Sequence, residues 1–186
     1  LKGLIWVIVI LIVLLAIGGG LIGSYNSLVT KSQAVDEKWS QVETQYQRRF
    51  DLVPNLVTTV KAFMGQELAV FKEITDARAA YGAAPTADGK AVAGGELEAA
   101  IAKLLVIVED NPEIKSQETV IQLLDELAGT ENRISVERGR YNQAVRTYNT
   151  AIKTFPGNLM AGMFGFAVRE YFESVSGADL APVVEF

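Results

Sequence analysis

The chain has 186 residues, enough for one domain of ordinary size plus an anchor, with a net charge of −5 and a pI near 4.9. No basic face is available to displace counterions from phosphates, which excludes nucleic acid as a partner. Histidine and cysteine are both absent; within these residues that removes His-dependent triads and zinc sites, phosphohistidine relays, thiolate nucleophiles, disulfides and lipoprotein attachment.

From Gly3 to Thr30 there is no charged residue, and Gly3–Gly23 is almost wholly aliphatic. As a signal peptide this segment offers Lys2, an apolar stretch and small residues at Ala16 and Gly18. As an anchor it offers about twenty apolar residues, the length that crosses ~30 Å of hydrocarbon. Apolarity continues past the candidate cut through Leu21 and Ile22, so we read residues 1–24 as a single-pass transmembrane helix. Gly19 and Gly23 form a GxxxG pair that can let anchors pack closely, or can simply soften the end of the helix. Lys2 on one side and Lys31 and Lys38 on the other nearly balance, so the positive-inside rule leaves the orientation open. With no initiator Met, the true amino terminus is open too.

Beyond the anchor, Tyr25, Leu28, Ser32, Val35, Trp39, Val42, Tyr46, Arg49, Val53, Leu56, Val60 and Phe63 recur at alternating three- and four-residue steps. That is the coiled-coil period, and it predicts a helix from Tyr25 to Tyr81 whose stripe continues through Val70, Ile74 and Ala77. Pro54, followed by Asn55, removes one backbone donor; since the stripe keeps its phase, a kink is expected and not a stop. Gly65 is a second weak point. The Gly/Ala-rich stretch from Gly82 to Gly95 reads as a loop, followed by a short helix over Glu96–Glu109. Asn111 and Pro112 suit a cap and first helical position, opening a long helix over Glu113–Phe155. Its stripe is Val120, Leu124, Leu127, Glu131, Ile134, Arg138, Tyr141, Val145, Tyr148, Ile152 and Phe155. Pro156-Gly157 ends it, and Asn158 can cap a last helix reaching Phe172. The bundle is expected to occupy residues 25–175, and 176–186 to form an extended tail.

Arg49, Glu67, Glu131 and Arg138 interrupt otherwise apolar stripes. A lone buried charge costs several kcal/mol, and opposed signs suit an internal ion-pair layer better than an acid/base site. Tyr141-Asn142 and Tyr148-Asn149 repeat after seven residues; the tyrosines fall on the seam, where a buried hydroxyl needs a partner. They fit a partly polar core, or a stacking platform for a small ligand. The last helix is apolar on more than one face. Met160, Met163, Phe164, Phe166 and Phe172 are therefore candidates for contact with another subunit, a partner or a membrane surface, as well as for core packing.

These residues resemble the LemA family of single-pass bacterial membrane proteins. The resemblance is carried by Tyr25-Asn-Ser-Leu-Val29, Arg48-Arg-Phe-Asp-Leu-Val-Pro-Asn-Leu-Val57, Val60-Lys61, Ala77-Arg78, Glu131-Asn-Arg-Ile134, Arg138, Tyr141-Asn142, Tyr148-Asn149, Phe155-Pro156 and Pro182-Val-Val-Glu-Phe186. Met64-Gly-Gln66 and Asn111-Pro-Glu-Ile-Lys115 depart from the family pattern and affect only the turns. The resemblance implies a helical bundle with an amino-terminal anchor and no established enzymatic activity.

The expected fold is all-α: a transmembrane helix followed by an antiparallel four-helix bundle of long helices. The expected function is a scaffold or adaptor of the bacterial inner membrane, self-associating, without catalysis, cofactor or metal, whose partners are the bilayer, further copies and membrane or envelope proteins. The soluble part is assigned to the extracytoplasmic side. Two alternatives stand beside it. One is a lateral, membrane-attached polymer; the other, remoter, is a carboxylate-dependent hydrolase or metal enzyme using Glu67 and Glu131.

Overall fold

The computed structural model describes residues 2–64 and 69–172. Gly65, Glu67 and the expected extended tail lie outside the described residues. Within them the chain is helical, with no strand: α1 (Lys2–Met64), α2 (Ala69–Ala83), α3 (Ala87–Glu109), α4 (Pro112–Lys115), α5 (Glu118–Lys153) and α6 (Gly157–Phe164).

The seam of α1 is a burial pattern. Leu28, Val35, Val42, Tyr46, Arg49, Val53, Leu56 and Val60 are all buried, while Phe63, at the end of the predicted stripe, is exposed. The helix runs on through Pro54, and the Thr59 hydroxyl donates to the Asn55 carbonyl at 2.8 Å. From Leu4 to Ile17, and at Ile22, the large aliphatic side chains of α1 are exposed, and this is the one described helix long and apolar enough to cross a membrane.

Several expectations are corrected. The Gly/Ala-rich segment is helix from Ala87, not loop. Thr86 caps it, its side chain accepting from the Gly89 amide at 3.1 Å, and Asp88 sits in the favourable first turn. One of its glycines lies against α1: a Cβ on Gly94 would fall 2.7 Å from Cζ of Tyr46. Asn111 does not cap the next helix through its side chain; its amide turns back to the Ile107 carbonyl at 2.6 Å. The chain then makes one turn of α4 and breaks at Ser116-Gln117 before α5 begins at Glu118.

At the other end, α6 stops at Gly165, which adopts the left-handed conformation with φ 74°. Residues 166–172 are not helical. Pro156, not Asn158, holds the cap position, with no side-chain cap bond. Phe155, expected to close the α5 stripe, is 78% exposed. Steric demand explains the turn: a Cβ on Gly157 would lie 2.1 Å from the Ala151 carbonyl oxygen, so α5 is followed by a backbone approach that only glycine permits.

The chain divides into two compact units, residues 2–38 with 140–171 and residues 39–139 with Phe172. Helices α1 and α5 contribute to both. The 39–139 unit is an up-down-up-down arrangement of four helical segments, as its contacts show. Phe50 of α1 meets Tyr81 of α2 and Lys61 of α1 meets Phe71 of α2, so these two run antiparallel. Glu43 and Tyr46 of α1 meet Lys90 and Glu98 of α3, a parallel pair. Tyr46 and Arg49 of α1 meet Arg138 and Glu131 of α5, antiparallel again. Its core is Val42, Val53, Leu56, Val60, Leu97, Ile101, Leu104, Val120 and Ile134.

Candidate functional site

Polar seam residues of the 39–139 unit converge on one cluster. Arg49, buried to 5% exposure, donates to Glu131 and lies 3.9 Å from Glu98. Arg138 donates to Glu98 at 2.6 Å and to the Tyr46 hydroxyl, which in turn donates to Glu98 at 3.2 Å. Two arginines, two glutamates and a tyrosine thus neutralise one another across α1, α3 and α5. Burial, and then the Glu98 charge, push the Tyr46 phenol from its ordinary 10.0 up to about 12, against the opposing pull of Arg138. Burial works to lower Arg138, but Tyr46 and Glu98 more than compensate and hold it above its ordinary value. The Arg138 guanidinium also lies 5.3 Å from the ring of Phe172, itself stacked on Trp39 at 5.4 Å.

Glu98 is the member that sequence reasoning missed. With the preceding stretch read as loop, it fell in the first turn of the expected Glu96–Glu109 helix, before any stripe marks a packed face. Extending the helix to Ala87 would have put it next to the Leu97–Ile101–Leu104 stripe. Glu131 also sits differently from its expected position. Its side chain is 46% exposed, and Thr130, at 0%, takes the buried place beside it, its hydroxyl donating to the Leu127 carbonyl at 2.7 Å. Glu67, the fourth expected stripe charge, lies outside the described residues. Among the described residues no three acidic side chains converge as metal ligands would.

Beside this cluster an open groove of about 590 Å³ runs between α3 and α5. Ile101, Leu105, Val108, Leu124 and Leu127 line it, with Arg49, Glu98 and Glu131 at one end and Glu109 and Lys115 at the other. The end charges are mutually engaged, Lys115 meeting Glu109 at 3.3 Å, so the groove wall is aliphatic and its polar groups are confined to the ends.

The tyrosine–asparagine repeat does a different job in the other unit. Tyr141 and Tyr148 donate to the carbonyls of Glu170 and Ala167 at 3.2 and 2.9 Å. Asn149 brackets Arg169: its amide donates to the Arg169 carbonyl at 2.8 Å, and its carbonyl accepts from the Arg169 amide at 3.0 Å. Arg169 reaches Asp36 of α1 at 3.1 Å. The repeat is thus a clamp on the backbone of the non-helical segment after α6, with Asn149 buried at 5% exposure, a partner that the sequence did not disclose. Asn142 is only half-buried beside Tyr141.

The candidate surface residues separate. Met160 is buried and belongs to the core, a correction to its expected surface role. Phe166 is half-buried and lies 5.8 Å from Tyr25, while Phe172 packs as described above. Met163 and Phe164 are exposed, Phe164 with its ring 4.7 Å from Tyr25. Gly19 and Gly23 have no neighbour within 4 Å of an added Cβ.

Taken together, a helix long and apolar enough to cross a membrane and all-α packing with a self-neutralised polar centre define a membrane-associated helical protein. The LemA family model matches residues 38–186, and the chain belongs to that family. Among curated relatives, the magnetosome proteins MamQ 1 and MamQ 2 of Paramagnetospirillum magneticum are each 30% identical, over 86% of this chain and 68% of theirs. A magnetosome protein MamQ of Magnetospirillum gryphiswaldense is 28% identical over the same shares. Family and relatives point to a membrane-associated structural role.

Proposed function

We propose that this chain is a scaffold or adaptor of the bacterial inner membrane, working by protein–protein contact without chemistry of its own. The observation that carries the reading is the α3–α5 groove. Its aliphatic wall and end-placed charges fit an apolar helical segment of a membrane or envelope protein in the helix-in-groove mode, and the anchor holds it at high local concentration near such partners. Arg49, Glu98, Glu131, Arg138 and Tyr46 act as the polar lock that fixes helix register beside it. Glu131, the conspicuous carboxylate, is already committed to Arg49, which supports a lock over an acid/base role.

The test is site-specific. The chain has no native cysteine, so Ala128→Cys in the groove wall can carry a photo-crosslinker in native membranes. A discrete adduct to one partner is expected, and it should vanish when Ala102→Trp fills the groove without lowering Tm. An adduct that survives the filled groove, or none at all, overturns the reading.

A second reading, lateral self-association through the anchor, is favoured by the open faces of Gly19 and Gly23. Sizing in mild detergent tests it: Gly19→Leu with Gly23→Leu should dissociate the oligomer, and an unchanged size removes the glycine contact.

A further inference from the structure

The turn between α5 and α6 carries apolar surface that its own unit leaves uncovered. Phe155, Leu159, Met163 and Phe164 are 78%, 50%, 72% and 57% exposed. Leu159 and Met163, four residues apart, share one exposed face of α6, and the exposed Phe155 precedes them in the turn before the helix, while Gly157, Met160 and Ala161 face the core. A water-facing side of a surface helix is ordinarily polar, and a helix apolar all round belongs in a protein interior or a membrane. From Thr154 to Val168 there is no charged residue, and cations flank the stretch at Lys153 and Arg169.

Where this stripe lies along α1 decides what covers it. Thr154, Phe155 and Pro156 share a small cleft with Gly20, Ser24 and Ser27 of α1. At the far end of α6, Phe164 meets Tyr25. Both ends of α6 therefore lie level with residues 20–27, a stretch of only about 10 Å at 1.5 Å rise per residue. The short helix thus lies beside this one level of α1. That level is where the aliphatic run of α1 gives way to hydroxyl and aromatic side chains, Ser24, Tyr25 and Ser27. It is where a spanning helix leaves hydrocarbon for the headgroup region, and where tyrosine is enriched.

We propose that Phe155 and α6 form an interfacial foot that inserts into the lipid headgroup–acyl boundary beside the anchor. The occupant is the bilayer itself, because the stripe lies level with the end of the exposed aliphatic run of α1. Lys153, just before the stripe, keeps its charge toward the headgroups while its stem lies along apolar surface. The foot rests on the membrane-anchor reading of α1 but not on the groove or on any protein partner.

Single cysteines at Leu159, Met163 and, as a control, the exposed Gln143 of α5, each labelled with an environment-sensitive fluorophore, test this. The full chain is reconstituted in phosphatidylcholine–phosphatidylglycerol vesicles with or without a nitroxide lipid labelled near the headgroup. The expected result is blue-shifted emission at 159 and 163, strong quenching by the nitroxide lipid, and lost quenching by aqueous iodide; position 143 shows the reverse. Equal iodide access at all three positions overturns the foot. Protection from iodide without nitroxide quenching, strengthening as protein is added per lipid, also overturns it and assigns the stripe to a second copy. Failure of the anchor reading is distinguishable: the native Trp6 would then escape quenching by nitroxides placed deep in the acyl chains.

Discussion

The two units of this molecule use the same kinds of polar seam residue to opposite ends. In the 39–139 unit, Arg49, Arg138, Glu98, Glu131 and Tyr46 bind one another, side chain to side chain. In the unit of residues 2–38 and 140–171, Tyr141, Tyr148 and Asn149 bind backbone carbonyls and an amide of a non-helical segment. Side-chain pairs specify how helices register, because both partners are fixed to helical positions. Clamps on backbone specify where irregular chain lies, because its amides and carbonyls have no helix to satisfy them.

The contrast can be broken most forcefully at Arg49. Arg49→Ala leaves Glu131 without its partner and removes one of the cations near Glu98; a loss of about 3 kcal/mol in urea unfolding is expected, at the low end for a broken buried pair because Glu131 is half exposed. A cost below that of an ordinary surface substitution would show that the cluster is not a lock. Gly94→Ala comes next. Its methyl group meets the buried Tyr46 ring, and overpacking of about 2 kcal/mol should lower Tm. An unchanged Tm would mean that the ring yields freely.

Asn149→Ala sharpens the other side of the comparison. It orphans a backbone amide and carbonyl at a cost of about 1–2 kcal/mol, and the effect should be local. Hydrogen exchange at the Arg169 amide should accelerate while protection around Leu97 and Ile134 stays intact. Simultaneous loss of protection at both would show that the clamp supports the whole fold.

The smallest effect is in the pH profile. A phenol raised from 10.0 to about 12 on folding favours the neutral form. Its contribution is therefore complete below pH 10 and is lost as pH rises through about 12. Tyr46→Phe should flatten part of that alkaline decline in a denaturation series; an identical decline would assign it to the other buried tyrosines, such as Tyr81, which burial also raises.

Much of α1 was legible because its period-3.5 stripe persists over ten turns, and the buried residues from Leu28 to Val60 match it. The charges at Arg49 and Arg138 stood out because they break that stripe. Glu98 did not, because the Ala and Gly residues around positions 91–95 imitate a loop in composition while Gly94 among them lies against Tyr46. The end of α6 was misplaced because apolar residues from Phe166 to Phe172 look the same whether they lie on a helix or along an extended segment. The left-handed Gly165 and the hydrogen bonds from α5 separate those cases, and neither has a spacing to read.

By itself, then, the sequence determined the helical class, the apolar membrane helix and the faces that pack, since hydrophobic period and composition are properties of consecutive residues. Tertiary structure alone decided the partners. Arg49 found Glu131 and Glu98, Asn149 found the backbone of Arg169, and Met160 turned inward while Met163 stayed exposed. Those outcomes depend on which segment faces which across distances in the chain of 20 to 82 residues, and local periodicity carries no record of that.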